Sequence, residues 1–437
     1  MRIALINSKQ DVAGVNIRDR LQEILSEGGR WPLADRHTLT FHEVDGRLIS
    51  QDRIDEEVDC DLIIFISRHS SAQPTPALTV HVTGNYDTAD LGGEPGMLAP
   101  AAPAWMHAIL QNLAARAPEG YRVSYEVTHH GPTALSTPSL FVEIGSTATE
   151  WADPVAGRAV AESILAAAPG ETIDLIGFGG THYAVRQTEI ALSSRGAFGH
   201  IASARQARAL DPGLIRRMQE ASHAVAAYID RKSLSTDEVG RIEEMVADTG
   251  LILLSESEIL EIGDLEWTTY LEVRELAGQV APGSRIHIHD LAGRGTPVNV
   301  RVIRDLLEEA VKSDKDKFIE GIDKLPAVHL SMGSTEVLPV FITFEDQTSR
   351  LVSDITTLCV KLLLICEDAV IDGDHLVLQK VRFDPEKARR HGVPKGPLFG
   401  MLAGGKAIEV EGRRITPDAV QTTSVKRIHI PGLERYT

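Results

Sequence analysis

Short β-branched runs alternate with amphipathic helical patterns over about the first 260 residues, and this alternation constrains the fold more than any other feature. Arg2–Asn7 is an apolar run, and Asn16–Glu27 places Ile17, Leu21 and Ile24 on one helical face. Alternation of this kind predicts an α/β fold with a mostly parallel sheet flanked by helices on both faces. The strands of such a sheet end at one edge, where ligands bind.

The same patterns continue along the chain and define further elements. The expected strands are Leu39–Val44, Leu62–Ser67, Leu78–Thr83, Arg122–Val127, Leu140–Ile144, Ile173–Gly177, His200–Ser203, Val225–Ile229 and Leu251–Leu260. The expected helices are Pro103–Ala117, Val155–Ala168, one near His182–Ser193, one after Pro212 and one from Ser235.

The pattern changes after residue 262, where we place a domain boundary. A large α/β domain is predicted over residues 1–262, and a smaller α+β domain over residues 263–437. Within the smaller domain, Val300–Lys312 and Leu351–Cys366 have helical periodicity, whereas Gly392–Gly405 is rich in Gly and Pro and is predicted to be a loop.

Charge is distributed unevenly along the chain. The formal net charge is −18, yet His375–Thr437 contains twelve Lys and Arg against six Asp and Glu, a net of +6, which leaves −24 for the first 374 residues. The overall charge argues against a nucleic-acid partner, whereas the tail has the sign that an RNA backbone requires. A solvated basic face without a partner is an equally open interpretation of the tail.

No apolar run reaches the roughly 18 residues that a membrane-spanning helix needs. The N-terminus becomes polar after a few apolar residues, so a first buried strand is expected there rather than a signal peptide. Cys60, Cys359 and Cys366 are too scattered for a disulfide framework or a thiolate zinc site. We therefore expect a cytoplasmic protein in which any metal binds to histidine and carboxylate ligands.

Polar segments that contain histidine follow several of the predicted strands. They are residues 67–71 (SRHSS), 78–85 (LTVHVTGN), 128–132 (THHGP) and 177–183 (GFGGTHY), while Glu143 interrupts an apolar strand. Imidazole serves as general acid, general base or metal ligand, and zinc accepts both imidazole and carboxylate ligands. Because the strands should end at one edge, we expect these segments to meet around one metal or one water molecule.

Each of these residues also has a plainer interpretation. His81 lies at an alternating position of a strand and could be a hydrogen-bonded core histidine. Glu143 could form an ion pair with any buried arginine. His129 and His130 point to opposite faces if the chain is extended, so only one of them is expected to face the site. The sequence contains neither a Gly-x-Ser-x-Gly elbow nor a His-Glu-x-x-His motif, which disfavours serine-hydrolase and zincin mechanisms.

Taken in order, these segments resemble the archaeal and plant family of D-aminoacyl-tRNA deacylases. The resemblance covers about residues 1–260 and includes Pro138–Thr147 followed by Trp151. It implies hydrolysis of the ester between tRNA and a D-amino acid such as D-tyrosine, with rejection of the L-aminoacyl ester and with bound zinc. It also implies a fold like that of peptidyl-tRNA hydrolase and nucleoside phosphorylases. We expect a monomer, with residues 1–262 as the catalytic domain.

With this resemblance, the candidate residues receive expected roles. The expected catalytic residues are His69, His81, His130 and Glu143. The expected metal ligands are His81, His129, His130, His182 and Glu143. The expected substrate-binding residues are Arg68, Thr83, Asn85, Gly179, Gly180, Thr181 and Lys395.

The C-terminal part contains a second similarity. His391–Gly400 and Gly412–Pro417 are similar to a segment of tRNA 3′-processing endonucleases of the metallo-β-lactamase class, whose aspartate–histidine zinc motif is absent here. We expect residues beyond 263 to hold the tRNA body through Arg389, Arg390 and Lys395, although a loop that only closes the small domain is equally open.

Two other functions remain open from the sequence. One is a non-catalytic tRNA- or RNA-binding protein whose histidine-rich edge is a phosphate or metal pocket. The other, a nucleoside phosphorylase-like enzyme, rests on fold analogy alone. Hydrolysis of D-tyrosyl-tRNA, with a chelator control, separates the deacylase from both.

Overall fold

The structure is a computed structural model, and its chain divides into two compact units, residues 1–264 and 265–437. No helix in the part of the chain that the model describes is long and apolar enough to cross a bilayer. The described residues are 1–71, 74–333, 336–366 and 369–437.

The first unit alternates strands and helices as the sequence pattern predicts. Its strands are β1 (Arg2–Ser8), β2 (Thr38–Val44), β3 (Leu62–Arg68), β4 (Ala77–His81), β5 (Arg122–Tyr125), β6 (Ser139–Gly145), β7 (Ile173–Phe178), β8 (Gly196–Ala202), β9 (Ala226–Ile229) and β10 (Ile252–Leu254). Its helices are α1 (Val12–Glu27), α2 (Pro32–Arg36), α3 (Pro103–Arg116), α4 (Ala148–Trp151), α5 (Pro154–Leu165), α6 (Val185–Ser193), α7 (Pro212–Ser222), α8 (Thr236–Ala247) and α9 (Glu256–Glu261).

These strands form two sheets. The first has the order β2-β1-β3-β6-β4-β5 and is parallel except where β4 pairs antiparallel with β6. The second has the order β10-β9-β7-β8 and is parallel throughout. The predicted α/β class with mostly parallel strands is therefore confirmed, but the expectation of a single sheet is wrong. The first sheet ends at β5, and the strands from β7 to β10 form a sheet of their own.

Helices cover the sheets and fix the ends of the strands. The buried residues Ile17, Leu21 and Ile24 line one face of α1, which packs on β3 and on α5. Asp11 caps α1 by accepting a hydrogen bond from the backbone N–H of Gly14 at 3.0 Å. Its other carboxylate oxygen accepts from the backbone N–H of Arg68 at 3.0 Å, so the residue that starts α1 also holds the end of β3.

The second unit is an α+β assembly. Its strands are β11 (Arg285–Ile288), β12 (Pro297–Arg301), β13 (Val328–Met332), β14 (Glu336–Phe344), β15 (Ala369–Asp372), β16 (His375–Phe383), β17 (Ile408–Val410), β18 (Arg413–Ile415) and β19 (Gln421–His429). Its helices are α10 (Trp267–Val280), α11 (Arg304–Ser313), α12 (Lys315–Ile322), α13 (Thr348–Cys366), α14 (Pro385–Arg390) and α15 (Pro397–Ala403).

All strand pairs described in the second unit are antiparallel. They form a sheet of order β11-β13-β14-β12, a sheet of order β15-β16-β19 and the hairpin β17-β18. The core lies between these strands and helices α11, α12 and α13, and it includes Leu307, Phe318, Phe341 and Leu363.

Three predicted elements differ from the structure. Val300 lies in strand β12, and the helix predicted from it begins only at Arg304. The strand predicted over Leu251–Leu260 is short, because Ser255 and Glu258 form a capping box that starts α9. The region Gly392–Gly405 contains α15, so its Gly and Pro residues flank a short helix instead of forming one continuous loop.

Candidate active site

Histidines and carboxylates from separate segments of the first unit form one cluster. His69 follows β3 and is held by its backbone N–H, which donates to the carbonyl of Ile144 on β6 at 2.9 Å. His81 is the last residue of β4. The loop after β7 joins them, because the carbonyl of His182 accepts from the backbone N–H of Val127 at 3.0 Å. The four histidine segments and Glu143 thus meet around one place, which lies where the two sheets come together.

Three rings form the deepest part of the cluster, which we call the imidazole triad: His81, His129 and His130. Their Nδ1 atoms all lie near backbone carbonyl oxygens, at 3.2 Å from Val82, 2.8 Å from Val127 and 2.6 Å from Gly131. Where such a ring is neutral and its Nδ1 donates, its Nε2 keeps an unshared pair. The ligand nitrogens of the three rings lie within 4.8 Å of one another.

Both adjacent histidines belong to the cluster, so the expectation that only one of them faces it is wrong. That expectation assumed extended backbone, but His130 has a φ of 52°, in the left-handed region. This turn brings its ring to the same side as that of His129, with ring centroids 4.4 Å apart. Both rings also contact His81, at centroid distances of 4.7 and 5.0 Å.

Glu126 is the central carboxylate of the cluster and was missed in the sequence. Its side chain is fully buried, with Oε1 2.9 Å from Nδ1 of His69 and Oε2 2.9 Å from Nε2 of His182. Oε2 also lies 3.5 Å from Nε2 of His129. Burial works against ionisation, but His182 and His69 hold the pKa of this carboxyl well below its usual range. Its position directly after β5 was the available sequence signal.

Glu143 supplies the second carboxylate and lies in the middle of β6. Its Oε1 accepts a hydrogen bond from the Ser67 hydroxyl at 2.5 Å, while Oε2 lies 3.7 Å from both His69 Nδ1 and His81 Nε2. Burial opposes ionisation, but the contacts with His69 and His81 lower the pKa of this carboxyl. The plainer interpretation, an ion pair with a buried arginine, is replaced by contacts with histidines.

The histidines fall into two electrostatic classes. Burial lowers the pKa of His129 strongly, and lowers that of His130 to about 4, so these two rings are neutral near pH 7. Burial also disfavours the charged form of His69, but Glu126 and Glu143 outweigh it and raise its pKa to about 11. The pKa of His81 is raised in the same way, mainly by Glu143.

The positively charged His69 contacts a tyrosine at the edge of the cluster. Its Nε2 lies 3.0 Å from the hydroxyl of Tyr183, the residue after His182. Tyr183 and His129 are partly exposed and His182 is exposed, whereas His69, Glu126 and the rest of the cluster are buried. The side of the cluster that is open to a reactant is therefore formed by His129, His182 and Tyr183.

Three of the expected substrate-binding residues lie near the ends of β3 and β4. Arg68 is exposed, and its guanidinium lies over the ring of Trp151 at 5.1 Å, so it remains accessible. Thr83 and Asn85 are buried, and they donate to the backbone carbonyls of Pro132 at 2.6 Å and Gly92 at 2.9 Å. Both therefore hold the neighbouring loops in place and have no side-chain donor directed at a substrate.

The remaining expected substrate-binding residues divide between the two units. Gly179 and Gly180 have φ values of 92° and 84°, so the turn before His182 has a backbone that glycine adopts readily. Thr181 is exposed in this turn, and its hydroxyl donates to the carbonyl of Tyr183 at 3.4 Å. Lys395 is exposed in the second unit, directly before α15.

A cavity of about 310 Å³ lies at the ends of β9 and β10 in the first unit. Arg186, Tyr228, Lys232 and Glu256 line it. It adjoins the glycine turn before His182, because the Ser233 hydroxyl accepts from the backbone N–H of Gly180 at 2.7 Å. The cavity therefore lies beside the histidine cluster and not within it.

The fold and the cluster define a protein of the α/β class with a buried site built from imidazoles and carboxylates, groups that transfer protons and bind metal ions. A family model described as D-aminoacyl-tRNA deacylase matches residues 56–254. The D-aminoacyl-tRNA deacylase of Methanoculleus marisnigri is 77% identical over 436 residues, covering 100% of both chains. That of Methanoregula boonei is 52% identical over 438 residues, again covering 100% of both.

The chain belongs to the D-aminoacyl-tRNA deacylase family, as the resemblance predicted. Among solved structures, the crystal structure of a conserved protein of unknown function is 35% identical and superposes with a TM-score of 0.55. The match covers 59% of this chain and 96% of that chain. The solved chain therefore consists almost entirely of the matched fold and has no counterpart to the remainder of the present chain.

Proposed function

We propose that the histidine–glutamate cluster is the catalytic site at which this chain hydrolyses the ester between a D-amino acid and tRNA. Membership of the family confirms the predicted enzyme class, a hydrolase of the aminoacyl-tRNA ester bond. The alternatives of a non-catalytic RNA-binding protein and a phosphorylase-like enzyme lose their support, since the family is named for a deacylase. The observation that supports the site is that one ring nitrogen from each of the three histidines of the triad lies within 4.8 Å of the other two, beside two buried carboxylates.

The donor set fits zinc. Within the triad, His81 Nε2 is buried without a hydrogen-bond partner, as expected for an atom that ligates an ion. The backbone acceptors of the three Nδ1 atoms are the outer contacts that orient metal-binding imidazoles. The imidazole triad would hold the ion, with Glu143 beside His81, while His69, Glu126 and His182 form a second group of the same kind. A bound zinc ion supplies Lewis acidity and lowers the pKa of water.

Glu126 is the proposed general base. Its Oε2 lies directly beneath the exposed His182 and the partly exposed His129, where water and the ester reach the cluster. The carboxylate accepts a proton from water as the water oxygen bonds to the ester carbonyl carbon. Glu143 stays ionised and, together with the Ser67 hydroxyl, fixes the positions of His69 and His81.

Tyr183 is the proposed donor to the oxyanion that forms on the carbonyl oxygen. Its hydroxyl accepts from Nε2 of the protonated His69, so its own proton is directed away from His69. A preorganised donor of this kind stabilises the developing negative charge. The charge on His69 adds to the effect through the same hydrogen bond.

His182 completes the reaction by transferring a proton. Its Nε2 lies 2.9 Å from the Glu126 carboxylate, so the proton taken from water is held in the hydrogen bond between Glu126 and His182. When the tetrahedral intermediate collapses, the bond from carbon to the ribose oxygen breaks and the ribose oxygen takes this proton. The products are a free D-amino acid and a tRNA with an intact terminal hydroxyl. One chain supplies all of these groups, so the proposed reaction needs no residue from a second subunit.

Two further expectations remain proposals. The first is that the fold of the first unit is of the peptidyl-tRNA hydrolase and nucleoside phosphorylase type, which the mostly parallel sheets flanked by helices support. The second is that the basic C-terminal segment contacts the tRNA body. Arg390 and Lys395 are exposed there, whereas Arg389 forms an ion pair with Glu386 on the same helix.

The proposed function is tested by incubating the full chain with D-tyrosyl-tRNA and L-tyrosyl-tRNA under single-turnover conditions. We expect hydrolysis of the D-ester only. The variant Glu126→Gln keeps the size of the side chain but removes the base, and it should lower the rate by about 100-fold or more. Glu119→Gln, at an exposed glutamate outside the cluster, is the matched control and should retain the parent rate. Full activity of Glu126→Gln would exclude the assigned base.

A further inference from the structure

The second unit contains its own group of histidines on one face of the sheet β11-β13-β14-β12. His287 and His329 lie directly opposite each other in the antiparallel pair β11–β13. His289 comes two residues after His287, so it projects from the same face. The rings stack on His329 with centroid distances of 4.3 Å for His287 and 5.1 Å for His289, and the interplanar angles are 10° and 14°.

A carboxylate completes this group. Asp323 ends helix α12, and its Oδ1 lies 3.3 Å from Nε2 of His289. The same Nε2 lies 2.9 Å from Nδ1 of His329. Two ring nitrogens and one carboxylate oxygen, from a strand end, a second strand and a helix end, therefore lie within 4.8 Å of one another.

The spacing of these atoms is close to that of a metal site. Zinc binds histidine nitrogens at about 2.0–2.1 Å with tetrahedral geometry, which places neighbouring ligand atoms about 3.3 Å apart. The distances from His289 Nε2 to the other two ligand atoms, 2.9 and 3.3 Å, lie within a few tenths of an ångström of this value. Two facing ring nitrogens can share only one proton, so at least one of them presents an unshared pair.

The three residues differ in solvent exposure, as expected for a metal site that an ion can reach from solvent. His329 is 4% exposed, whereas the side chains of His289 and Asp323 are 16% and 44% exposed. His329 is held from behind by the stacked His287, whose Nε2 lies 2.9 Å from the Ser331 hydroxyl. One ligand is thus fixed in the interior while the carboxylate faces solvent, from which an ion enters.

We propose that His289, His329 and Asp323 form a metal site in the second unit that binds Zn²⁺ or a divalent ion of similar preference. Imidazole and carboxylate ligands together favour zinc over Mg²⁺ and Ca²⁺, which prefer oxygen ligands. Three protein ligands leave a fourth position for solvent or another ligand. This site shares no residue with the cluster of the first unit and does not depend on the proposed deacylase mechanism.

The test measures zinc bound per full-length chain after metal depletion, incubation with Zn²⁺ and removal of the excess. His81→Asn first removes a ligand of the first unit's cluster, and the zinc assigned to the second unit is the amount that a further substitution there removes. Adding His289→Asn or Asp323→Asn should lower the bound zinc by a further equivalent. Asp323→Asn is the milder change because it preserves the size of a partly exposed side chain.

The chain contains a matched control for these variants. His375 and His429 form another cross-strand histidine pair, with ring centroids 5.0 Å apart, but no third ligand group accompanies them among the described residues. His375→Asn should leave the zinc content unchanged. Titration with Co²⁺ gives a second readout, since the visible absorption of four-coordinate Co²⁺ should weaken in Asp323→Asn and persist in His375→Asn. Equal zinc content and equal Co²⁺ absorption in Asp323→Asn and the parent would overturn the proposal.

Discussion

Nε2 of His69 lies 3.0 Å from the hydroxyl oxygen of Tyr183, and the opposite nitrogen of the same ring lies 2.9 Å from Glu126. The ring therefore links a buried carboxylate to a hydroxyl at the open side of the cluster. Because the charged ring donates to Tyr183, the tyrosine proton is available to a reactant.

This relationship predicts a specific defect in Tyr183→Phe. The variant keeps the aromatic ring but loses the donor, so kcat for D-tyrosyl-tRNA should fall about 100-fold while KM changes little. The measurement is steady-state hydrolysis over a range of tRNA concentrations. Tyr121→Phe, which removes another partly buried tyrosine hydroxyl, serves as a control for the loss of a phenol. A rise in KM with an unchanged kcat would show that Tyr183 only binds substrate.

Chelator treatment should abolish activity, and Zn²⁺ should restore it. The imidazole triad needs unprotonated rings to hold an ion, so the metal should also be released as the pH is lowered. Zinc content and hydrolysis of D-tyrosyl-tRNA are measured on the same samples during removal and readdition. A chain that contains no metal and retains full activity would contradict the zinc proposal.

His200 should make the stability of the chain depend on pH. It is fully buried, with Nδ1 3.0 Å from the Thr128 hydroxyl and Nε2 2.9 Å from the carbonyl of Ala99. Burial lowers its pKa to about 4, against about 6.5 in an unfolded chain. The unfolded chain therefore binds more protons between these values. The contribution of His200 to stability is complete above about pH 6.5 and is lost as the pH falls towards 4.

The size of this effect should be about 3 kcal/mol between pH 7 and pH 4, because one pKa unit corresponds to about 1.4 kcal/mol. Urea unfolding of the parent and of His200→Asn at several pH values measures it. The variant should be less stable at pH 7, and its stability should fall less steeply with acid. Half-buried His42 on β2 is the control position. Parallel pH profiles for the parent and His200→Asn would refute the assignment.

Neutralising Arg390 and Lys395 together should weaken tRNA binding. Each lost phosphate contact lowers the slope of log affinity against log salt by about one, so the double variant should lose about two. Turnover at saturating tRNA should stay near that of the parent. Lys324→Gln, at a lysine paired with Glu320 in the same unit, is the control. An unchanged affinity and slope would instead favour the first unit, with exposed Arg68 and the cavity at Arg186 as the basic surface.

The position of the cluster could be predicted from the sequence more readily than its internal arrangement. The apolar run of β3 ends at Ser67 and Arg68, so His69 was expected at the end of a strand, and the structure places it there. Glu126 was missed because the pattern around it is that of a strand with alternating exposure, where a carboxylate normally faces solvent. In the structure, the rings of His69, His129 and His182 surround this carboxylate, and they come from three separate segments of the chain.

Local backbone conformation was the second feature that could not be predicted from the sequence. The adjacent histidines were assigned to opposite faces because an extended chain was assumed. The residue types of the segment THHGP do not indicate that the backbone of His130 is in the left-handed region. In the second unit, Gly and Pro suggested a loop over the region that contains α15, since these residues mark the ends of a short helix as often as they mark a loop.

The three Nδ1 contacts of the imidazole triad are all made to peptide carbonyls, and each acceptor lies within two residues of its own histidine. The nitrogen that faces away from the centre of the triad is consequently fixed in each ring by the main chain around it. A substitution that changes only a side chain leaves these acceptors in place, whereas the protonation of His69 depends on the side chains of Glu126 and Glu143, either of which one codon change can replace.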